Sequence, residues 1–407
     1  MSGRHRLATA VAGQHESSLH QPIATALVLS LGAAIALGMT RFSYGLLMPP
    51  MRADLDWSYF LAGAMNSGNA LGYFIGALAT PKLMQRLGVW HLLVAGSVIA
   101  GLFMLATGIV TDNLVLFLLR ICAGVASAFI FIAGGVLAAR LGAMFPERSG
   151  FLIGLYYGGT GFGIVLSALL VPVMLAWARA CHIRHGWQWS WLALGFFCLL
   201  AAAMLALPTK ALGAATPPKG QNKTFKLSDL AFGLSGYFMF GVGYIGYMTF
   251  VVALLKTQGM HAGTITWFYA LLGLAVVASS RVWAPMLERF KGGESLAVLN
   301  AVLGVACLLP ALTSSIPVIF ASGIVFGGVF LSVVAATTIL IRHNLPQDSW
   351  SAGITTFTAI FAFGQIIGPT LIGLISDGPG GLARGLIISA AALFVGAALA
   401  SRQKTLV

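Results

Sequence analysis

Three arginines lie inside long apolar runs, Arg41, Arg120 and Arg281, and they are the residues of this sequence best equipped for chemistry. A guanidinium stays charged and carries five N–H donors in a planar fork, a shape that matches the edge of a carboxylate or phosphate. An ionisable group at mid-membrane costs at least about 2.5–3.5 kcal/mol on insertion scales, so each one needs a reason to be there. Arg41 precedes Pro50 by nine residues and Arg120 follows Asn113 by seven. A helical rise of about 1.5 Å per residue then puts both roughly 10–14 Å from one end of their helices. Asn66 falls at the same level and shares a helical face with Asn69 and Tyr73, and Tyr44 flanks Arg41 from three positions on. Gly68 and Gly72 occupy the other side of that helix, as a seam for close packing. All ten acids and all eight histidines fall in tails, loops or helix ends. Two guanidiniums at one depth without a balancing carboxylate suit forked hydrogen bonding of an organic anion; backbone carbonyls are the competing structural partners. Arg281 lies near a helix end, where snorkelling gives it a structural role.

These residues need long apolar helices to position them, and the composition supplies such helices. Of 407 residues 58% are hydrophobic and 8% charged, with a mean hydropathy of +0.92. Soluble domains carry about 25% charged residues, which excludes a soluble enzyme. Continuous rather than alternating apolar runs also argue against a porin-type barrel. The expected fold is an all-α polytopic membrane protein with twelve spans, near 24–48, 58–79, 89–110, 113–139, 149–174, 189–207, 229–254, 263–286, 295–312, 316–341, 351–375 and 382–401. Segment 1–23 reads as a polar tail without the apolar core of a cleaved signal. Residues 24–207 form a first six-helix bundle, 208–228 a basic linker, 229–401 a second bundle and 402–407 a short tail.

The net charge of +13 becomes a topology map once it is sorted by position. Fifteen of the 23 Lys and Arg fall on the side that holds both termini and the linker, and five on the other, so both termini are expected in the cytoplasm. Gly159-x3-Gly163 and Gly364-x3-Gly368 recur at an offset of 205, and Pro81-x-Leu83 with Gly88 matches Pro285-x-Leu287 with Gly292 at 204. Nearly equal offsets around one linker point to duplicated halves. The glycines of spans five and eleven, with Pro369, serve close helix approach and bending. Cysteines inside apolar runs (Cys122, Cys198, Cys307) and one in a loop (Cys181) give no disulfide framework. Cys181-His182-x2-His185 has the residue types of a metal site but lacks an adjacent fourth ligand, so no metal is expected. Trp57, Trp187, Trp189, Trp191 and Trp267 read as interfacial anchors, and Asp54 and Asp56 as solvated loop acids. No phosphate loop, catalytic triad or nucleic-acid signal is present, so no catalytic residue and no cofactor is expected.

The six-plus-six layout with a basic central loop resembles the major facilitator superfamily. Arg120-Ile-Cys-Ala-Gly124 is similar to its R-x3-G pattern in span four, and Gly186-Trp-Gln-Trp-Ser-Trp191 to its G-W-R-W-x-F segment with Gln188 for arginine. Loop 2–3 keeps Gly76, Lys82, Arg86 and Gly88 of the gating motif, with Thr80-Pro81 where the acid stands. The antiporter motif is matched at Gly150, Gly159 and Gly163, but Ile164 replaces its proline and Ser167-Ala168 its glycine pair. Within the superfamily, Thr40-Arg-Phe-Ser-Tyr-Gly-Leu-Leu-Met-Pro49 and Asn69-Ala-Leu-Gly-Tyr-Phe-Ile-Gly-Ala-Leu78 resemble the YbfB/YjiJ-like bacterial permeases. The resemblance implies two bundles rocking about a midplane site. Spans one and four would aim Arg41 and Arg120 at a small-molecule substrate, with Tyr244, Tyr247 and Gln365 opposite. It implies secondary transport across the bacterial inner membrane by a monomer with no nucleic-acid partner; net uptake of an anion against the membrane potential would need cotransported protons or other cations, or a strong gradient. The charge pattern favours an anion such as a carboxylate. Export of amphipathic drugs or metabolites is the second reading, and a non-transporting sensor a third.

Overall fold

The computed structural model describes residues 22–214 and 225–406. Most of the N-terminal tail and the middle of the linker lie outside the described residues, as does the side chain of Arg281. Twelve long helices follow one another among the described residues. They are α1 (Pro22–Asp54), α2 (Tyr59–Leu87), α3 (Val89–Thr107), α4 (Asn113–Met144), α5 (Ser149–Ala180) and α6 (Gly186–Thr209), then α7 (Ala231–Thr257), α8 (Ala262–Val282), α9 (Glu294–Leu312), α10 (Ile316–Asn344), α11 (Trp350–Ser376) and α12 (Gly381–Ala400). Eleven are long and apolar enough to cross a membrane. The twelfth, α2, is 29 residues long, but Asn66, Ser67 and Asn69 lower its hydropathy. It packs mainly on α4 and α11, so protein rather than lipid receives its polar face.

Most helices outlast the apolar runs that announce them. α1 continues through Pro49 and Pro50 to Asp54, and α2 through Pro81 to Leu87. A proline removes one intrahelical donor and bends the helix; it does not have to end it. Lys82 and Arg86 therefore stand exposed on the last turns of α2 rather than in a loop. Gly88, at φ +87°, ends that helix in a conformation open to glycine. Side-chain caps start two helices: Ser58 Oγ accepts from Leu61 N at 3.1 Å, and Asp112 Oδ1 from Val115 N at 2.9 Å.

Two related six-helix bundles result. In the first, α1 packs on α5, α2 on α4 and α3 on α6; in the second, α7 packs on α11, α8 on α10 and α9 on α12. The repeated glycines occupy equivalent joints. A Cβ on Gly159 or Gly163 would lie 2.0 Å from Ser30 O or 2.5 Å from Ala34 O of α1, and one on Gly364 or Gly368 would lie 2.5 Å from Phe238 O or 2.6 Å from Val242 O of α7. Only glycine lets backbones come this close. Gly76 plays the same part between α2 and α4, 2.7 Å from Val125 O by the same construction.

The bundles meet along α2–α11, α5–α8 and α1–α7. Gly63 faces Pro369 O, Gly373 faces Tyr59 O and Gly45 faces Met248 O, at Cβ distances of 2.1, 2.2 and 2.4 Å. Thr370 Oγ1 donates to Ser67 Oγ at 2.7 Å, and the Asp377 carboxylate accepts from Tyr59 N at 2.7 Å and Phe60 N at 2.8 Å. These joints lie toward the end bearing the α1–α2 loop, which they hold shut.

Candidate functional site

Between Ala34 and Phe42, α1 widens into a π-helix, with Ser43 N bonded to Gly38 O five residues back. Such widened turns recur at functional sites because they turn backbone carbonyls away from the helix ladder. Two carbonyls there are used laterally. Arg120 Nη1 donates to Thr40 O at 2.9 Å, and Tyr269 Oη of α8 donates to Phe42 O at 2.7 Å. The widening coincides with the point where Gly38 and Gly163 meet backbone to backbone.

Arg41 projects from this segment and is 3% exposed. Its Nη2 donates to Gln365 Oε1 on α11, joining the bundles. Its guanidinium carbon is 5.6 Å from the Tyr73 ring centre, and Tyr73 and Tyr244 lie within electrostatic reach of it. Tyr244 belongs to an aromatic wall, stacked at 4.7 Å on Phe240 and 5.6 Å on Phe361. Two donors of this cluster, Arg41 Nε and Gln365 Nε2, are buried without an acceptor. Buried donors are almost always satisfied, so a pair left open marks a place for an acceptor the chain itself does not supply.

Arg120 is held differently. It lies 4.7 Å from the Tyr44 ring centre and 5.6 Å from that of Trp191, and its Nη2 reaches Asn66 Oδ1 at 3.4 Å. Asn66 Nδ2 donates to Thr249 Oγ1 of α7 at 2.7 Å, and Thr249 in turn donates to Ile245 O at 2.6 Å. Tyr44 Oη is tied to Ala62 O at 2.7 Å. Arg120, Asn66, Tyr44 and Thr249 thus form a bonded layer beside the Arg41–Gln365 pair. Only the Nε of Arg120 lacks a partner.

Two residues expected in the pocket are placed elsewhere. Asn69 turns to α4, where its Nδ2 donates to Arg120 O at 3.1 Å. Tyr247 points into the second bundle, stacked on Phe326 at 4.1 Å, with its hydroxyl 2.7 Å from Ser322 Oγ. The tryptophan assignment needs correction: Trp57, Trp187 and Trp191 are buried, and only Trp189 and Trp267 are exposed as anchors would be. Two of the buried indoles reach polar partners nearer the surface, Asn113 for Trp57 at 2.7 Å and Asp54 for Trp187 at 2.5 Å. Asp54 is therefore a structural acceptor, and it also holds His185 Nδ1 at 2.6 Å. The sequence reading missed Thr249, Trp191 and the Ser67–Thr370 pair. Thr249 stands five residues after Tyr244 and two after Tyr247, off their helical face, so the available signal was only a hydroxyl inside an apolar run.

Two pseudo-symmetric six-helix bundles that close on a buried polar layer define a transporter of the major facilitator superfamily. The chain belongs to the family described as "Uncharacterised MFS-type transporter YbfB", which matches residues 33–401. It is 24% identical over 371 residues to "Uncharacterized transporter YycB" of Bacillus subtilis, covering 87% of each chain. It is 23% identical over 403 residues to an Agrobacterium vitis protein named for tartrate transport, covering 89% of this chain and 85% of that one. Among solved structures, a bacterial homologue of the human lysosomal transporter Spinster, inward-facing and unoccupied, superposes with a TM-score of 0.71 at 15% identity over 93% of this chain and 96% of its own. The nucleoside transporter NupG gives 0.70 at 14% identity over 93% and 98%. At such identities the likeness concerns the fold.

Proposed function

We propose that this membrane transporter moves a small organic anion, such as a carboxylate, through a site built on Arg41 and Gln365. The observation that carries this reading is the pair of buried open donors, Arg41 Nε and Gln365 Nε2, on opposite bundles, with no ion pair to Arg41 among the described residues. A carboxylate supplies two acceptor oxygens and a compensating charge, so it satisfies both donors and neutralises the guanidinium. Tyr73 and Tyr244 flank the substrate, and the bonded layer around Arg120 keeps α1, α2, α4 and α7 in register beside it. The name of the Agrobacterium relative supports the same ligand class.

In this reading, alternating access parts the α2–α11 and α5–α8 joints and closes the opposite end. With both termini cytoplasmic in a bacterial inner membrane, the closed end faces outward. An interior-negative potential of about 100 mV opposes entry of a monoanion by about 2.3 kcal/mol, so net uptake is coupled to cations, protons being the simplest.

The test is thermal stabilisation of the purified protein by carboxylates, tartrate among them, compared with neutral sugars and nucleosides. Carboxylates should stabilise the wild type, and Arg41→Gln should weaken that binding at least tenfold, about 1.4 kcal/mol. Stabilisation by neutral solutes alone, or undiminished carboxylate binding by Arg41→Gln, overturns the reading.

A further inference from the structure

A cavity of about 300 Å³ opens at the closed end, away from Arg41, between α1, α5 and the start of α6 on one side and α7 and α8 on the other. That volume is at the lower bound for small-ligand sites. Its floor is apolar, with Leu175, Ile183 and Ile265 among its lining, and its wall carries three cations, Arg179, Arg184 and Lys256. All three are exposed at the rim. The one acid on the wall, Asp54, is already engaged: its Oδ2 accepts from Trp187 Nε1 at 2.5 Å and lies 2.6 Å from His185 Nδ1. Lys256 and Arg179 come from different bundles and lie close enough to repel each other.

We infer that this cavity binds an amphiphilic anion, with an alkyl tail on the apolar floor and a carboxylate or phosphate head between Arg179, Arg184 and Lys256. Like charges facing each other across a joint are unfavourable, and an anion between them converts the repulsion into two attractions. An apolar floor below a cationic rim rejects a fully hydrated ion and suits a molecule with both characters. Because the head group touches both bundles, its occupant also fastens the joint that this structure shows closed. The ligand comes either from the surrounding lipid or from free solution, and the shared chemistry is the anionic head on an alkyl chain.

Binding of labelled decanoate to the protein in phosphatidylcholine nanodiscs tests the site without reference to any transported substrate. Saturable binding is expected, weakened by added salt and at least tenfold weaker in Arg179→Ala/Lys256→Ala. Both side chains are exposed, so that variant should keep the wild-type fold, which its thermal transition verifies. The comparison is made in an Arg41→Gln background, so that a carboxylate held at the proposed transport site does not enter the readout. Replacing part of the phosphatidylcholine with phosphatidylglycerol separates the sources: competition identifies a lipid occupant, and no competition a free amphiphile. Equal affinity with and without the double alanine change, or no saturable binding in the Arg41→Gln background, overturns the proposal.

Discussion

Arg41 and Arg120 share a residue type and a depth, yet their surroundings separate their roles. Arg120 has both terminal nitrogens on protein acceptors and two aromatic rings beside it, so it acts chiefly as a tie between α4, α1 and α2. Replacing it with leucine leaves Thr40 O and Asn66 Oδ1 without their donor, at about 1–3 kcal/mol for each buried group. Arg120→Leu should therefore lower the thermal midpoint of the purified protein clearly, and more than Arg41→Gln does. Arg41 spends one terminal nitrogen on Gln365 and keeps Nε open. Arg41→Lys retains the charge but not the fork, so in equilibrium binding it should fall between wild type and Arg41→Gln for a carboxylate. Equal affinity of the lysine variant and the wild type would mean that charge alone, without geometry, is recognised. Chain position makes both arginines conspicuous, because a charge in an apolar run is visible locally. The partner of Arg41 is 324 residues away, and no local pattern connects them.

At the scale of elements, the glycine pairs of α5 and α11 were legible from their spacing and equal offset, and the reason is steric. A helix that receives another backbone needs small residues at i and i+4, whichever bundle it belongs to. Gly159→Ala would place its Cβ 2.0 Å from Ser30 O, forcing α1 away from α5. Gly150→Ala meets nothing within 4 Å. Thermal unfolding of the two variants should show a marked loss for the first and little change for the second. The π-helix of α1 was not legible. It depends on Gly38 meeting Gly163 and on Arg120 and Tyr269 taking the Thr40 and Phe42 carbonyls, contacts with three other helices. The helix ends were misjudged for a different reason: an apolar run measures the hydrocarbon layer, whereas the helix persists past it through Pro50 and Pro81.

For the whole molecule, the closed end is a lock of three kinds of contact: glycine seams, the Ser67–Thr370 hydrogen bond and the Asp377 carboxylate capping α2 from the other bundle. If the bundles part there during transport, a covalent link across the seam must stop the cycle. Ser67→Cys/Thr370→Cys, made in a Cys181→Ser background because Cys181 is exposed, should form a disulfide that arrests substrate flux in proteoliposomes and releases it on reduction. Undiminished flux through the cross-linked protein would show that this joint does not open. Asp377→Ala removes the acceptor for two N–H groups, a loss of about 0.5–2 kcal/mol for a helix cap. It should raise the reactivity of a lone Ser67→Cys, in the same background, toward a membrane-impermeant maleimide. Composition and spacing determined by themselves that the chain is a twelve-helix membrane protein of two repeated halves, because lipid requires long apolar helices and close packing requires periodic glycine. They also determined which charges the membrane admitted. Only the tertiary structure decided that Arg41 meets Gln365, that Asn69 and Tyr247 turn aside, and that Trp187 and Trp191 are buried. Those outcomes depend on how the helices rotate and cross, and that is set by contacts between residues far apart in the chain.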